Sequence, residues 1–255
     1  MPVASPMVGA PCWIDLFSSD PEKATHFYGE LFGWTPQQGD PRFGGYFTYK
    51  KDEGDVAGCM KNDGSHGMPD VWTIYLMAPD AGSVANLAAG SGGGVEIAPM
   101  VVAEHGTMAV VTDPGQARIG VWQPGSMHGF DMIGEHGTPY WFELHTQEYD
   151  ASVAFYRSVF GWDAHAMSDT PDFRYTTLGL GESQRAGIMD ASAFMPEGAP
   201  AAWSVYFGVD AIDPALEQVV ALGGAVVDPV QETPYGRLVG ITDPTGTRLK
   251  LAGRS

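Results

Sequence analysis

Residues 11–34 read PCWIDLFSSDPEKATHFYGELFGW, and residues 139–162 read PYWFELHTQEYDASVAFYRSVFGW. The two stretches align without a gap at an offset of 128 residues, and both end in Phe-Gly-Trp. The other identical pairs include Trp13/Trp141, Leu16/Leu144, Phe27/Phe155 and Tyr28/Tyr156. Self-similarity at a fixed offset is the mark of an internal duplication. The chain therefore contains two copies of one structural design.

Each stretch predicts a strand followed by a helix. Residues 12–17 alternate and are rich in aromatic and branched side chains, as in a half-buried strand. Asp20 is a good N-cap, and Pro21 suits the first helical position. The apolar residues of 24–32 recur at helical spacing, and Gly33 ends the helix.

The remainder of each half repeats more loosely. Residues 72–76 (WTIYL) resemble 203–207 (WSVYF), and each run precedes a short predicted helix, Ala81–Ala89 or Pro214–Leu222. Glycine-rich turns, strands and an Asp-Pro turn follow in both halves. The pattern predicts an α+β protein of four βαβββ modules. We expect one domain over residues 8–124, a linker over 125–138 and a second domain over 139–253.

The composition excludes several classes of partner. A net charge of −18 without a Lys/Arg cluster would be repelled by phosphate backbones and anionic membrane surfaces. No apolar run approaches the length of a membrane span, and the N-terminal stretch lacks a secretory signal pattern. The two cysteines have no paired spacing, which suits reduced thiols. We therefore expect a cytoplasmic protein, monomeric or homodimeric, that binds neither nucleic acid nor membrane.

The paired strand–acid–helix–FYxxxFGW segments and the Asp-Pro turns at 113–114 and 243–244 resemble the vicinal oxygen chelate superfamily. That group includes glyoxalase I, bleomycin-resistance proteins and extradiol dioxygenases. The resemblance covers nearly the whole chain and is strongest to duplicated, actinobacterial-type members. It implies that two modules in each half pair, so that their mixed sheets curl around one cup.

The resemblance also implies where a divalent metal would bind in each cup. The expected ligand positions on the first strands hold Trp13 and Trp141, and those on the terminal strands hold Gly120 and Lys250. The runs ending at Met60 and Met189 offer no ligand other than Cys59. Trp cannot ligate a metal, and a Lys ammonium repels one. A divalent metal is therefore disfavoured, and we expect no cofactor.

Strand alternation predicts which side chains face each cup. The predicted ligand-binding residues of the first cup are Trp13, Asp15, Phe17, Met60, Thr73, Tyr75, Arg118 and Trp122. Those of the second cup are Trp141, Met189, Ser204, Tyr206 and Arg248, with Glu143, His145 and Lys250 as candidate catalytic residues. Aromatic walls with a few polar groups are typical of small-molecule sites, although the same side chains could fill the cups as core. A buried carboxylate needs a partner, which we expect to be Arg118 for Asp15, and Arg248 or Lys250 for Glu143.

Three functions remain open. The preferred one is a metal-free protein that binds a planar or hydrophobic small molecule, either in antibiotic resistance and sequestration or as an accessory in natural-product biosynthesis. The second is a glyoxalase-type lyase or isomerase, or an extradiol dioxygenase, which the ligand positions oppose. The third is a metal-free acid–base enzyme using the second cup.

Overall fold

The computed structural model describes residues 7–65 and 67–253. The first six residues of the N-terminal stretch lie outside the described residues. Within the described ranges, no helix is long and apolar enough to cross a membrane.

Two mixed β-sheets, one from each half, form the framework. The strands of the first sheet are β1 (Pro11–Ser18), β2 (Trp34–Pro36), β3 (Phe47–Lys51), β4 (Gly54–Lys61), β5 (Val71–Met77), β6 (Gly94–Val102), β7 (Gly106–Thr112) and β8 (Arg118–Pro124). The strands of the second sheet are β9 (Pro139–Thr146), β10 (Ala164–Thr170), β11 (Phe173–Leu178), β12 (Ala186–Asp190), β13 (Ala202–Val209), β14 (Ala225–Val226), β15 (Gln231–Thr233), β16 (Gly236–Thr242) and β17 (Arg248–Gly253).

The modules pair in chain order within each half. The first sheet runs β2-β3-β4-β1-β5-β8-β7-β6, so the first strands of its two modules, β1 and β5, lie antiparallel at the centre. The second sheet repeats this order as β10-β11-β12-β9-β13-β17-β16-β14, with β15 also paired to β16. The predicted α+β class with four βαβββ modules is confirmed, and no module is exchanged between the halves.

Four helices cover one face of the sheets: α1 (Pro21–Phe32), α2 (Ala81–Gly90), α3 (Tyr149–Phe160) and α4 (Ile212–Ala221). Asp20 caps α1 by accepting a hydrogen bond from the Lys23 amide at 3.1 Å, and Gly33 ends it in the left-handed region at φ 75°. Glu148 stands at the N-cap of α3 but makes no side-chain cap hydrogen bond. The first helical turn of α4 begins at Ile212, two residues before the predicted Pro214.

The repeated Phe-Tyr of the helices links the two halves. The Tyr28 hydroxyl accepts a hydrogen bond from the Trp72 indole at 3.1 Å and donates one to Asp243, in the Asp-Pro turn of the other half, at 2.9 Å. Tyr156 makes the matching contacts in the opposite direction, from the second half to the first. The helical faces of the two sheets therefore pack against each other, and the opposite faces point away from the shared core.

The second link mirrors the first. The Tyr156 hydroxyl accepts from the Trp203 indole at 2.8 Å and donates to Asp113 at 3.2 Å. The closing Trp of each repeat donates its indole N–H to a carbonyl across the same interface, Trp34 to Gly137 at 2.6 Å and Trp162 to Gly9 at 2.8 Å. The duplicated motif thus serves to join the halves.

The segment between the sheets, predicted as a linker, is packed against both halves. Phe130 is buried, and its ring lies 5.6 Å from that of Trp13 and 5.9 Å from that of Phe142. The Phe130 amide donates to the Cys12 carbonyl at 2.9 Å. Cys12 and Cys59 are both buried and free.

Candidate functional site

The face of the second sheet opposite the helices carries most of the predicted polar residues. Trp141, Tyr206 and Lys250 lie side by side on β9, β13 and β17, because Tyr206 is in register with both of the others. Glu143 follows two positions after Trp141, so its side chain points to the same face. We call this face the second cup.

Glu143 is the centre of the second cup. Its side chain is buried, and one carboxylate oxygen accepts a hydrogen bond from the Tyr175 hydroxyl at 2.7 Å. The other oxygen accepts from the Tyr206 hydroxyl at 2.5 Å and lies 2.7 Å from Nε2 of His145. Three donors thus converge on one carboxylate, which fixes its orientation.

Lys250 completes the network from the next strand. Its Nζ donates to the Tyr206 hydroxyl at 2.9 Å and lies 3.9 Å from the nearer Glu143 oxygen. Tyr206 therefore bridges the amine and the carboxylate. Of the two predicted partners for Glu143, the structure brings Lys250 to it, whereas Arg248 is exposed on the same strand.

The ionisation of Glu143 follows from these contacts. Burial raises the pKa of the Glu143 carboxyl, but the hydrogen bond and charge of His145, the charge of Lys250 and the Tyr206 hydroxyl together outweigh it and lower the pKa to about 2. Burial lowers the pKa of Lys250, while Glu143 and Asp228 oppose that effect. A carboxylate with so low a pKa is a fixed negative charge and a poor general base at neutral pH.

The wall of the second cup is aromatic and partly open. Trp141 is half-buried and donates its indole N–H to the Tyr175 hydroxyl at 3.0 Å. Met189 is in register with His145, and the exposed ring of Phe194 lies 5.6 Å from the His145 ring. Ser204 is in register with Glu143 and is also half-buried.

We call the matching face of the first sheet the first cup. It carries Trp13 and Asp15 at the positions of Trp141 and Glu143, but it has no counterpart of Lys250. The Trp13 indole donates to Asp15 at 2.9 Å, and the Tyr46 hydroxyl donates to the same Asp15 oxygen at 2.9 Å. Burial raises the pKa of Asp15, although hydrogen bonds from Tyr46, Tyr75 and Trp13 oppose it. The position matching Lys250 is Gly120, in register with Tyr75.

The first cup is closed over. The β2–β3 connection is ten residues long (37–46) and contains a short 3₁₀ turn, Pro41–Phe43. Its Phe43 ring lies 5.6 Å from His105, in the β6–β7 turn at the opposite end of the sheet. The two ends of the sheet therefore meet, and Trp13, which packs against Phe130, is 3% exposed.

The second cup has no such bridge among the described residues. The β10–β11 connection is two residues, Pro171 and Asp172, and Tyr235 in the β15–β16 turn is 72% exposed. His145 and Lys250 keep 17% and 22% of their side-chain surface exposed. The His145 and Lys250 side chains are therefore open to solvent, whereas Tyr206 is 3% exposed.

Several predicted first-cup residues have other contacts. Arg118 binds Glu96 on the edge strand β6 at 2.5 Å, so the expected Arg118–Asp15 partnership is wrong. Trp122 donates to the Met127 carbonyl at 2.9 Å. The remaining predicted residues Phe17, Met60 and Thr73 lie half-buried on β1, β4 and β5, with Phe17 in register with Met60 and Asp15 with Thr73.

Sequence reasoning missed Tyr46 and Tyr175, the hydroxyls that bind each carboxylate. A signal for them exists in the repeated Ala-Gly pairs of β4 and β12. A Cβ on Gly58 would lie 2.0 Å from the Tyr46 hydroxyl oxygen, and one on Gly187 would lie 2.0 Å from that of Tyr175. Each glycine therefore makes room for the tyrosine.

The residues present do not fit the divalent metal that the fold implies. No group of three or more His, Cys, Asp or Glu side chains is placed to hold a metal ion within residues 7–65 and 67–253. The indole N–H groups of Trp13 and Trp141 are hydrogen-bond donors, and Lys250 places a cation in the second cup. These groups would oppose a bound metal ion.

Comparisons with known proteins agree with this fold. The model of the Glyoxalase/Bleomycin resistance protein/Dioxygenase superfamily matches residues 139–251. The anthracycline biosynthesis protein DnrV of Streptomyces peucetius is 33% identical over 260 residues, covering 95% of this chain and 92% of DnrV. CFP32 of Mycobacterium tuberculosis (strain CDC 1551 / Oshkosh), provisionally named a glyoxylase, is 32% identical over 243 residues, covering 93% of this chain and 92% of CFP32.

Solved structures share the architecture at low identity. The Mn(II)-bound glyoxalase from Novosphingobium aromaticivorans aligns with a TM-score of 0.64 at 15% identity, covering 96% of this chain and 82% of that chain. The 2,3-dioxygenase LapB from Pseudomonas sp. KL28 aligns with a TM-score of 0.62 at 16% identity, covering 98% and 93%. These two likenesses concern the fold alone. From its relatives and its fold together, the chain belongs to the glyoxalase/bleomycin resistance protein/dioxygenase superfamily.

Proposed function

We propose that the protein binds a planar aromatic or hydrophobic small molecule in the second cup, without a catalytic metal, as part of the biosynthesis or sequestration of a natural product. The observation that carries this proposal is the half-open indole of Trp141 beside a fixed polar floor of Tyr206, Glu143 and Lys250. An aromatic wall holds a flat ring by stacking, and a few fixed polar groups orient it.

The relatives favour one ligand class for the first test. Two of them, DnrV and the DauV protein of Streptomyces sp. strain C5, are named as anthracycline biosynthesis proteins. A polycyclic aromatic of that kind has the flat shape that an indole wall accepts. We therefore propose a polycyclic aromatic metabolite as the ligand, and an anthraquinone as the simplest probe.

The proposal is tested by fluorescence quenching and calorimetry with an anthraquinone and an anthracyclinone. Trp141→Phe removes the indole N–H and leaves a smaller aromatic surface in the second cup. Trp13→Phe makes the same change in the first cup and serves as the matched control. We expect Trp141→Phe to weaken binding about tenfold and Trp13→Phe to leave it within about twofold. Equal losses in both variants, or a loss only in Trp13→Phe, would reject the second cup as the site.

Metal independence needs its own measurement. The protein is incubated with Ni²⁺, Zn²⁺ or Fe²⁺, freed of excess ion, and analysed for metal content before ligand is added. We expect substoichiometric metal and unchanged ligand affinity in the presence of a chelator. Stoichiometric metal that disappears in a Glu143→Gln variant would instead support a glyoxalase-type or dioxygenase activity.

A metal-free acid–base enzyme is the second candidate, favoured by the Tyr206 hydroxyl between the Lys250 amine and the Glu143 carboxylate. Such a tyrosine can pass a proton to or from a ligand oxygen. The reaction would be detected as deuterium uptake next to the carbonyl of a ketone-bearing anthracyclinone in D₂O. Uptake that is lost in Tyr206→Phe supports catalysis, and binding without uptake supports a carrier role.

A further inference from the structure

Lys250 is the main charge difference between the two cups. It lies in the row with Trp141 and Tyr206, whereas the matching position of the first cup is Gly120 beside Tyr75. A Cβ on Gly120 would lie 2.3 Å from the Tyr75 ring, so the first cup has no room for a side chain there. Only the second floor can therefore present an ammonium group to a ligand.

The amine of Lys250 has hydrogen-bonding capacity left for a ligand. An ammonium has three N–H donors. One goes to the Tyr206 hydroxyl at 2.9 Å, and the Glu143 oxygen at 3.9 Å is beyond hydrogen-bond distance. Within the parts of the chain that the structure describes, no other acceptor of Lys250 is found, and 22% of its side chain is exposed.

Two carboxylates near the amine favour its charged form. Glu143 lies on one side, and on the other the Asp228 side chain covers Gly240, which is in register with Lys250. Both carboxylates oppose the effect of burial on Lys250. The Glu143 oxygens are already occupied by Tyr175, Tyr206 and His145, so they are turned away from a ligand oxygen at the amine.

We propose that Lys250 binds an acidic oxygen of the ligand, a phenolate or enolate on the planar ring, and that it favours the ionised form of that oxygen. This inference rests on the proposed function, because it assigns the ligand chemistry of the same cup. In a protein of net charge −18, a local cation is needed for an anionic oxygen to bind. The ring would lie along Trp141, with its acidic oxygen at Lys250 beside the Tyr206 hydroxyl.

Other charged or titratable groups near the amine bear on the test. They are Glu143 and His145 on β9, Tyr175 on β11, Tyr206 on β13, Asp228 before β15 and Arg248 on β17. A charged amine aids ionisation of the ligand, whereas Glu143 and Asp228 oppose it. The direct contact with Lys250 is expected to dominate because Coulomb interactions weaken with distance.

The test uses two matched probes and the full chain. Alizarin, 1,2-dihydroxyanthraquinone, changes colour when a hydroxyl ionises, whereas anthraquinone has no acidic oxygen. We expect bound alizarin to ionise about one pH unit lower than free alizarin. In Lys250→Met this shift should vanish and alizarin affinity should fall about tenfold. Lys250→Arg should keep most of the shift, since it keeps the charge.

Anthraquinone separates the possible failures. Anthraquinone carbonyls can accept a hydrogen bond from Lys250 but cannot ionise, so in Lys250→Met anthraquinone should lose clearly less affinity than alizarin, and its continued binding shows that the cup is intact. An alizarin shift that persists in Lys250→Met, or equal losses for both probes, would overturn the role of Lys250 while leaving the binding function in place. Failure of both probes to bind wild-type protein would overturn the proposed function and this inference with it. Covalent trapping of a carbonyl ligand on Lys250 by borohydride would also contradict it, since that requires a nucleophilic, uncharged amine.

Discussion

The two cups share a floor but differ in what surrounds it. In each, a tryptophan, a carboxylate and two tyrosines surround the floor: Trp13, Asp15, Tyr46 and Tyr75 in the first, and Trp141, Glu143, Tyr175 and Tyr206 in the second. The first floor has Gly120 where the second has Lys250, and it lies under the 37–46 connection. The second adds His145 and Lys250 and stays half-open.

The difference shows how one design can support two roles. Burial raises the pKa of Asp15, whereas His145, Lys250 and Tyr206 lower that of Glu143 to about 2 despite its burial. Asp15 is thus a buried carboxyl group whose hydrogen-bond donors are all uncharged. Glu143 is a permanent charge that positions a cation, which is a feature of binding sites more than of a filled core.

The largest expected effect separates the two carboxylates. Glu143→Gln removes the counter-charge of Lys250 and weakens the hydrogen bond with His145, so we expect the free energy of unfolding at pH 7 to fall by about 3 kcal/mol. Asp15→Asn replaces a carboxyl whose charged form is disfavoured by burial, so we expect a change near zero or a gain. Urea denaturation of both variants measures the contrast. An equal or larger loss in Asp15→Asn would contradict the assigned charge states.

Asp113, in the Asp-Pro turn of the first half, should make the stability of the protein depend on pH. Burial raises the pKa of Asp113 to about 6, against hydrogen bonds from the Ala117 amide and Tyr156. The folded protein therefore holds this proton more tightly than the unfolded chain. The contribution of Asp113 to stability is largest below about pH 4, decreases up to about pH 6 and is constant above that.

We expect the stability difference between wild type and Asp113→Asn to shift by about 2–3 kcal/mol against wild type between pH 4 and pH 7. Urea denaturation at half-unit pH intervals measures it. Groups that titrate alike in wild type and Asp113→Asn cancel in this difference. A difference that does not change with pH would show that the Asp113 carboxyl is not perturbed in the folded protein.

The two tyrosine–aspartate hydrogen bonds that join the halves should contribute equally to stability, although the two cups differ. Tyr28→Phe removes the donor to Asp243, and Tyr156→Phe removes the donor to Asp113. We expect each variant to lose about 1–2 kcal/mol, because a buried acceptor loses its partner. Thermal and urea denaturation provide the values. Strongly unequal losses would indicate that the two halves are joined asymmetrically.

The smallest effect concerns the cover of the first cup. Phe43→Ala removes the ring that meets His105, and since Phe43 is half-buried we expect a stability loss below about 1 kcal/mol. The part of acrylamide quenching that depends on Trp13, taken as the difference between Trp141→Phe proteins with and without Trp13→Phe, should rise in this variant. Unchanged quenching would show that the 37–46 connection does not control access to the first cup.

Much of the fold could be predicted from the sequence because the repeat carries strong local signals. Asp20, Pro21 and Gly33 act at the positions that capping rules assign, and the strand–helix pattern gives the modules. Alternation along β1 and β9 also placed the Trp and carboxylate pairs on one face. The pairing of modules in chain order was not predictable, because both pairings satisfy the same local patterns.

The site was only partly predictable for a related reason. Residues on one strand, such as Glu143 and His145, are placed together by alternation, but Arg118 finds Glu96 through a register that the sequence does not reveal. Tyr46, just before β3, and Tyr175, within β11, reach their carboxylates from segments whose positions depend on the whole sheet. Long-range register, more than local propensity, set the limit of the predictions.

The central claim is that the second cup binds the ligand and the first is closed. A crystal structure of the protein with bound anthraquinone tests it most directly. We expect ligand density along Trp141 with an edge near Tyr206 and Lys250, and none over Trp13. Density in the first cup, or only between the two halves, would contradict it.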